Sequence, residues 1–316
     1  MSIVERAADM LGPTPEPQRK SSAAGEEANT TEPGLIERAV SNDSQRSDFP
    51  KDKHLAAAGH SEYRPAPATG RVSPTLNVDL DKLRRQNMIT PDSQRTPIAE
   101  NFRRIKRPIL ANVADPNAGP GTNLVMITSS LPGEGKTFCA INLAISIAME
   151  MDHTVLLVDA DVARPSVTSA LGIKVESERG LMDVLLDRRI DLADILCKTN
   201  IGKLSVLPAG TPHTRATEVL ASETMRLLLQ EMAERYRDRI IIFDSPPLLA
   251  TSEACVLARH MGQILVVVEA EKTMETALKD ALSRIEPRNV MGVLLNKGAA
   301  PGSGHYGYGY GYGYGA

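Results

Sequence analysis

LVMITSSLPGEGKT, residues 124–137, decides how the rest of the chain is read. Its first five residues are apolar or β-branched, a run suited to a strand buried on both faces. The run breaks into Ser129-Ser130-Leu131-Pro132-Gly133-Glu134-Gly135-Lys136-Thr137. Beyond it Ala140, Ile141, Leu143, Ala144, Ile147 and Ala148 recur at helical spacing. Strand, glycine-rich turn and helix, in that order, are the context that a phosphate-binding loop requires; Ser130 stands where the motif usually opens with glycine. Gly133 and Gly135 let the backbone turn tightly and aim N–H groups at phosphate oxygens, and the helix presents the positive end of its dipole to the same anion. Lys136 is placed to reach the β- and γ-phosphates, and Thr137 to ligate Mg²⁺. The expected nucleotide-binding set is Ser130, Gly133, Glu134, Gly135, Lys136, Thr137 and Phe138, with ATP and Mg²⁺ as cofactors.

Working outward, TVLLVDAD at 154–161 is apolar until it ends in Asp159 and Asp161. On a strand those two face the same side, and chemistry in open α/β sheets gathers at strand C-termini. RIIIFDSPP at 239–247 is four apolar residues closed by Asp244, a Walker B pattern that acquires meaning after a phosphate loop. Asp161 and Asp244 are expected to arrange the metal with Thr137, and Asp159 to act as base, although Asp159 and Asp161 can exchange roles. Arg164 is a candidate phosphate contact, and Asn296, closing the run at 290–296, a candidate contact to a base edge. Six β-runs (124–128, 154–161, 204–207, 239–244, 262–270 and 290–296) alternate with helical patterns at 180–187, 191–197, 218–236 and 273–285. The fold class is therefore α/β, with a doubly wound, mostly parallel sheet.

Upstream, IAENFRRIKR at 98–107 puts Ile98, Phe102 and Ile105 on one helix face and Glu100, Arg103 and Lys106 on another. This charged face is either solvated and internally paired, or turned to a neighbouring subunit. Residues 12–75 are rich in Pro, Ser, Glu, Gly and Ala and carry few large apolar side chains, so a disordered tether is expected. At the other end, five of the seven tyrosines (Tyr306, Tyr308, Tyr310, Tyr312 and Tyr314) alternate with glycine in residues 301–316. No packed core interleaves glycine with every aromatic; the segment is a sticky low-complexity tail or a cluster of phospho-acceptors, each phosphate adding about −1.5 to −2 charge.

Composition excludes other classes. With 42% hydrophobic residues, a net charge of −3, no Trp and four Phe, nothing favours nucleic acid as a partner. Cys139, Cys197 and Cys255 are scattered, which argues against a disulfide framework or a zinc site and for a reducing compartment. Neither a signal peptide nor a membrane-length apolar run is expected, so the reading is a cytoplasmic protein.

SSLPGEGKT, VLLVDAD, IIIFDSPP and the tyrosine-rich tail together resemble the bacterial tyrosine kinases of exopolysaccharide synthesis, most closely the stand-alone type found with PEP-CTERM/exosortase loci. The resemblance covers about residues 76–316. It implies a P-loop NTPase of the MinD/ParA-like (deviant Walker) class, with a disordered region at 1–75, a kinase domain at 76–300 and an acceptor tail at 301–316. It also implies autophosphorylation in trans within a homo-oligomer, possibly a ring, contacting through Glu100, Arg103 and Lys106. A membrane-embedded chain-length determinant (co-polymerase) would activate it, a tyrosine phosphatase would reset it, and it would lie peripheral to the inner membrane through that partner. A tail of sixteen residues spans roughly 20–25 Å as a coil, enough to reach a neighbour. Two positions depart from the family pattern: Ala163 stands where an arginine is usual, with Arg164 next, and Lys106 stands for the last arginine of the contact helix. The alternative is a MinD- or ParA-like ATPase switch. Those proteins carry a lysine early in the loop, where Leu131 stands here, and lack a tyrosine tail.

Overall fold

The computed structural model of the protein describes residues 75–93, 95–173, 179–236 and 238–298. The tether expected at 1–75 (but for Thr75) and the tyrosine cluster at 301–316 lie outside them. One eight-stranded sheet organises the fold. Its strands are β1 (Thr75–Leu76), β2 (Leu124–Ser129), β3 (Thr154–Asp159), β4 (Cys197–Thr199), β5 (Leu204–Leu207), β6 (Arg239–Asp244), β7 (Gln263–Glu269) and β8 (Val290–Asn296). They lie in the order β1-β4-β5-β3-β6-β2-β7-β8, and every neighbouring pair is parallel except β4 with β5.

The apolar runs behave as buried parallel strands should, sending alternate side chains to opposite faces. Val125, Ile127, Val155, Leu157, Ile240, Ile242, Leu265 and Val267 face one core, built with the helices Leu80–Arg85, Pro97–Ala114 and Lys136–Ala148. Leu124, Met126, Leu156, Val158, Ile241, Phe243, Ile264 and Val266 face the other, under Leu181–Leu186, Glu223–Arg235, Ser252–Ala258 and Glu275–Leu282. Helices cover both faces, so the sheet is doubly wound.

All six expected strands form, and the short β1 and β4 add to them at one edge. Two helix expectations are corrected. The helix expected at 191–197 is only Leu192–Ile195, because Cys197 opens β4 and pairs antiparallel with Val206 of β5. The helix expected at 218–236 is two, Ala216–Leu220 and Glu223–Arg235. Ser222 interrupts it by turning extended and capping the second helix, its Oγ accepting the Met225 N–H at 3.3 Å.

The helix Pro97–Ala114 continues well past the expected 107, through the exposed Pro108. Its apolar side, with Phe102 and Ile109, packs on the core that includes Lys136–Ala148. Lys106 was expected on the outward charged face beside Glu100 and Arg103, and the structure corrects this. Lys106 is 6% exposed; its Nζ donates to the Ser146 carbonyl at 2.6 Å and pairs with Glu150 Oε1 at 2.6 Å. Helix geometry explains the turn inward: two steps of three residues leave Lys106 about 120° round the axis from Glu100. Glu100 and Arg103 stay half-exposed and pair with each other at 2.5 Å, while Arg104 and Arg107 are exposed.

Lys106→Ala is therefore expected to lower stability by roughly 1–2 kcal/mol, to the same extent at low and high protein concentration. Urea denaturation at two concentrations checks this; a loss confined to high concentration would mark Lys106 as an interface residue instead.

Candidate active site

The strands β2, β3 and β6 end together, and their register sets the chemistry. Asp244 lies beside Asp159 across β3–β6 and beside Ile127 across β2–β6. The loop that follows β2 turns with Gly133 at φ +86° and Gly135 at φ +95°, values that side chains rarely adopt. Gly135 has a second reason to be glycine: a Cβ there would meet Asn296 Nδ2 at 2.0 Å. Lys136 is the first residue of the following helix, so its backbone opens the positive end of the helix toward the loop.

Around this turn the predicted residues converge. Lys136 Nζ donates to Asp161 Oδ2 at 2.7 Å and lies 3.9 Å from Asp244 Oδ1. Thr137 Oγ1 donates to Asp244 Oδ2 at 2.7 Å and sits 2.8 Å from Ser166 Oγ. Asp159 Oδ2 accepts two backbone N–H groups, from Ser166 and Val167, each at 2.9 Å. The N–H of Arg164 donates to Asp161, and its side chain is exposed at the rim.

Three carboxylates and one lysine in so small a space leave the charge unbalanced. Burial is the main force raising Asp244, to about 7, with Lys136 and the Thr137 hydroxyl opposing and Asp159 and Asp161 adding to the rise. Burial likewise raises Asp159 to about 6, against its two backbone N–H donors. Asp159 Oδ1, Asp244 Oδ1 and Ser130 Oγ are buried without a hydrogen-bond partner. Orphaned acceptors beside a hydroxyl and a lysine fit Mg²⁺ and phosphate. Thr137 and Asp244 would hold the metal, with Asp161 close by. Among the described residues no three His, Cys, Asp or Glu side chains form a metal site by themselves. Mg²⁺ bound through one or two protein groups and phosphate oxygens needs no such cage.

Two expected nucleotide contacts are otherwise engaged. The Glu134 side chain is 3% exposed and turned away from the phosphate side: Oε2 accepts the Leu131 N–H at 2.7 Å, and Oε1 accepts the Thr273 hydroxyl. Asn296 Nδ2 donates one of its two N–H groups to the Glu134 carbonyl at 2.9 Å. Both side chains thus help shape the loop, and the Glu134 backbone N–H remains part of it. Phe138 rests its ring against the core, leaving its backbone in the first helical turn. Ser166 and Thr273 carry no signal in the sequence, and Lys297 only its place beside Asn296 at the end of the last β-run; the fold brings these distant polar residues to the loop. Cys139 is buried, and burial pushes its thiol up to about 12, so it is a packing residue.

A cavity of about 700 Å³, lined by Asn123, Leu124, Arg226, Leu229 and His260 among others, opens at the opposite end of β2. Asn123 there is spent on three backbone carbonyls and Arg226 on Glu223 and Gln230. Among the described residues no helix is long and apolar enough to cross a membrane.

A family model described as an AAA domain matches residues 122–289. The chain is 31% identical to the tyrosine-protein kinase YwqD of Bacillus subtilis over 215 residues, covering 67% of this chain and 86% of that one. It is 34% identical to the tyrosine-protein kinase ptk of Acinetobacter johnsonii over 176 residues, 55% of this chain but only 23% of that longer protein. Among solved structures it is similar to the kinase domain of the Escherichia coli tyrosine kinase ETK. The TM-score is 0.57 at 27% identity, over 76% of this chain and 95% of that one.

The raised carboxylates have a consequence for stability. In ligand-free protein Asp159 and Asp244 bind more protons in the folded state than in the unfolded chain between pH ~4 and ~7, so their contribution to stability falls as pH rises through that window. Asp244→Asn is expected to raise the melting temperature of ligand-free protein at pH 7.5 and flatten that slope, while abolishing stabilisation by Mg-ADP. Thermal melts across pH, with and without Mg-ADP, test both halves.

Proposed function

The chain belongs to the bacterial tyrosine-protein kinases, and from that premise we propose that it phosphorylates its own tail, at Tyr306, Tyr308, Tyr310, Tyr312 and Tyr314, in trans between copies of itself. The observation that carries this reading is the convergence of Lys136, Thr137, Asp159, Asp161 and Asp244 at the ends of β2, β3 and β6, in a chain whose last residues are tyrosine-rich.

Bound Mg-ATP supplies the phosphoryl group and the divalent charge that offsets its negative oxygens. The chain's residues do the rest. Lys136, now on Asp161, would hold phosphate oxygens, and Thr137, Asp161 and Asp244 would hold the metal. Asp159 is fixed through Oδ2 by two N–H donors and offers Oδ1 as the base. A carboxylate raised to about 6 is ionised at neutral pH yet holds a proton better than an ordinary aspartate. A tyrosine with pKa near ~10 needs such an acceptor as its oxygen attacks. Asp161 remains the alternative base.

In this reading residues 76–300 are the kinase, 301–316 the acceptor tail and 1–75 a tether. Copies associate through the surface of the helix Pro97–Ala114 that carries Glu100 and Arg103. With Lys106 buried, the exposed Arg107 takes the third position. Phosphates accumulating on the tail repel one another and loosen the assembly. A membrane-embedded chain-length determinant activates the kinase, holding it at the inner membrane, and a phosphatase resets it. The cycle regulates exopolysaccharide polymerisation and export.

Incubation with Mg-ATP, with and without such a membrane partner, followed by mass spectrometry is expected to place phosphate on the tail tyrosines and none in Lys136→Met. Nucleotide hydrolysis without phosphotyrosine under both conditions would overturn the autokinase reading and favour a positioning switch.

A further inference from the structure

The phosphate-binding loop is held from its outer side by residues that lie more than a hundred positions away in sequence. Lys297 Nζ donates to the Gly133 carbonyl at 2.8 Å and pairs with Glu269 Oε2 at 3.1 Å. Asn296 Nδ2 holds the Glu134 carbonyl at 2.9 Å. In a trans peptide the carbonyl and the next N–H point in opposite directions. Drawing the Gly133 carbonyl outward therefore aims the Glu134 N–H inward, and drawing the Glu134 carbonyl outward does the same for the Gly135 N–H. The Glu134 carboxylate closes the arrangement, joining the Leu131 N–H to the Thr273 hydroxyl. That hydroxyl also accepts the Glu269 N–H at 2.9 Å, so its single proton is committed to Glu134.

The backbone around this cluster is unusual. Glu271, in the turn that presents Thr273, has φ +61°, and Lys297 has φ +58°. These are two of the four non-glycine residues with positive φ among the described residues. Strain of this kind persists only where the surroundings enforce it. Lys297 adopts it directly after β8, where its ammonium reaches Gly133.

We propose that Glu134, Thr273, Asn296 and Lys297 are positioning residues of the kinase: they form a latch that holds the phosphate-binding loop with its N–H groups turned toward nucleotide. The latch rests on the nucleotide-binding part of the kinase reading and adds to it the elements that preorganise the loop, the turn after β7 and the end of β8. Preorganisation of this kind acts on phosphate affinity, because a loop without it must be ordered when the ligand binds.

Calorimetric titration of the full chain with Mg-ADP tests this, using Thr273→Val, Thr273→Ser and Lys297→Met. Valine keeps the shape of threonine and removes the hydroxyl, leaving a buried carboxylate short of one partner; serine restores the hydroxyl. Thr273→Val is expected to weaken Mg-ADP binding about tenfold and Lys297→Met by a similar factor, as for hydrogen bonds to charged groups. Thr273→Ser is expected to bind within about threefold of the wild type. Wild-type affinity in both Thr273→Val and Lys297→Met would overturn the latch, as would a Thr273→Ser chain that melts normally yet binds as weakly as Thr273→Val. A wild-type chain that binds Mg-ADP but never forms phosphotyrosine, with the variants in the expected order, would sink the autokinase reading and leave the latch standing.

Discussion

One buried charge arrangement makes demands on everything around it: Asp159, Asp161 and Asp244 share Lys136 as their close cation at the ends of two adjacent strands. Carboxylates in that position are costly to ionise, which is why Asp159 and Asp244 rise toward neutrality. Asp159 Oδ1 and Asp244 Oδ1 have no hydrogen-bond partner there. Three carboxylates at strand ends, beside a glycine-rich turn and a helix N-terminus, fit a divalent cation and a nucleotide that would supply the missing partners. The rest of the fold serves that end. The doubly wound sheet fixes the strand ends in register, both cores immobilise the strands, and the turn after β7 and the end of β8 hold the loop from behind.

Most of this was legible because it is carried by local pattern. LVMITS, TVLLVD and RIIIFD are apolar runs that end abruptly in polar or acidic residues, and the structure places all three side by side. The glycine spacing in the loop likewise follows from backbone geometry alone. What escaped was non-local. Ser166 and Thr273 have no motif, and the end-of-strand position of Lys297 does not say that it holds the loop; they matter because a parallel sheet brings its strand ends to one place. Lys106 was misread for a related reason. Spacing by threes resembles a helix face over one step and drifts off it over two, and the decision that it lies inside belongs to Glu150, on another helix end. Glu134 and Asn296 were placed at the ligand because they are polar and adjacent to it. In the structure the Glu134 carboxylate and the Asn296 amide also bond the loop itself.

The likeness to tyrosine-protein kinases accounts for a feature that nucleotide binding alone leaves idle, the tyrosine-rich end of the chain. Phosphoryl transfer needs little covalent chemistry from a protein; it needs charge neutralisation, alignment and a proton acceptor. In the proposed mechanism Lys136, the Thr137 hydroxyl with Asp161 and Asp244, and Asp159 would fill those roles; they lie together at the ends of β2, β3 and β6. The acceptor is the one component that this cluster does not contain, and in the proposed reading the tyrosines at 306–314 of a neighbouring copy would supply it.

The most direct measurement mixes two variants: Lys136→Met, which keeps its tyrosines but lacks the phosphate-binding ammonium, and an otherwise intact chain with the five tail tyrosines changed to phenylalanine. After incubation with Mg-ATP and the membrane partner, the account predicts phosphotyrosine at 306–314 of the Lys136→Met chain and none when that chain is incubated alone. A Lys136→Met tail that stays unmodified beside the intact active site, under conditions where the wild type is phosphorylated, would contradict transfer between copies.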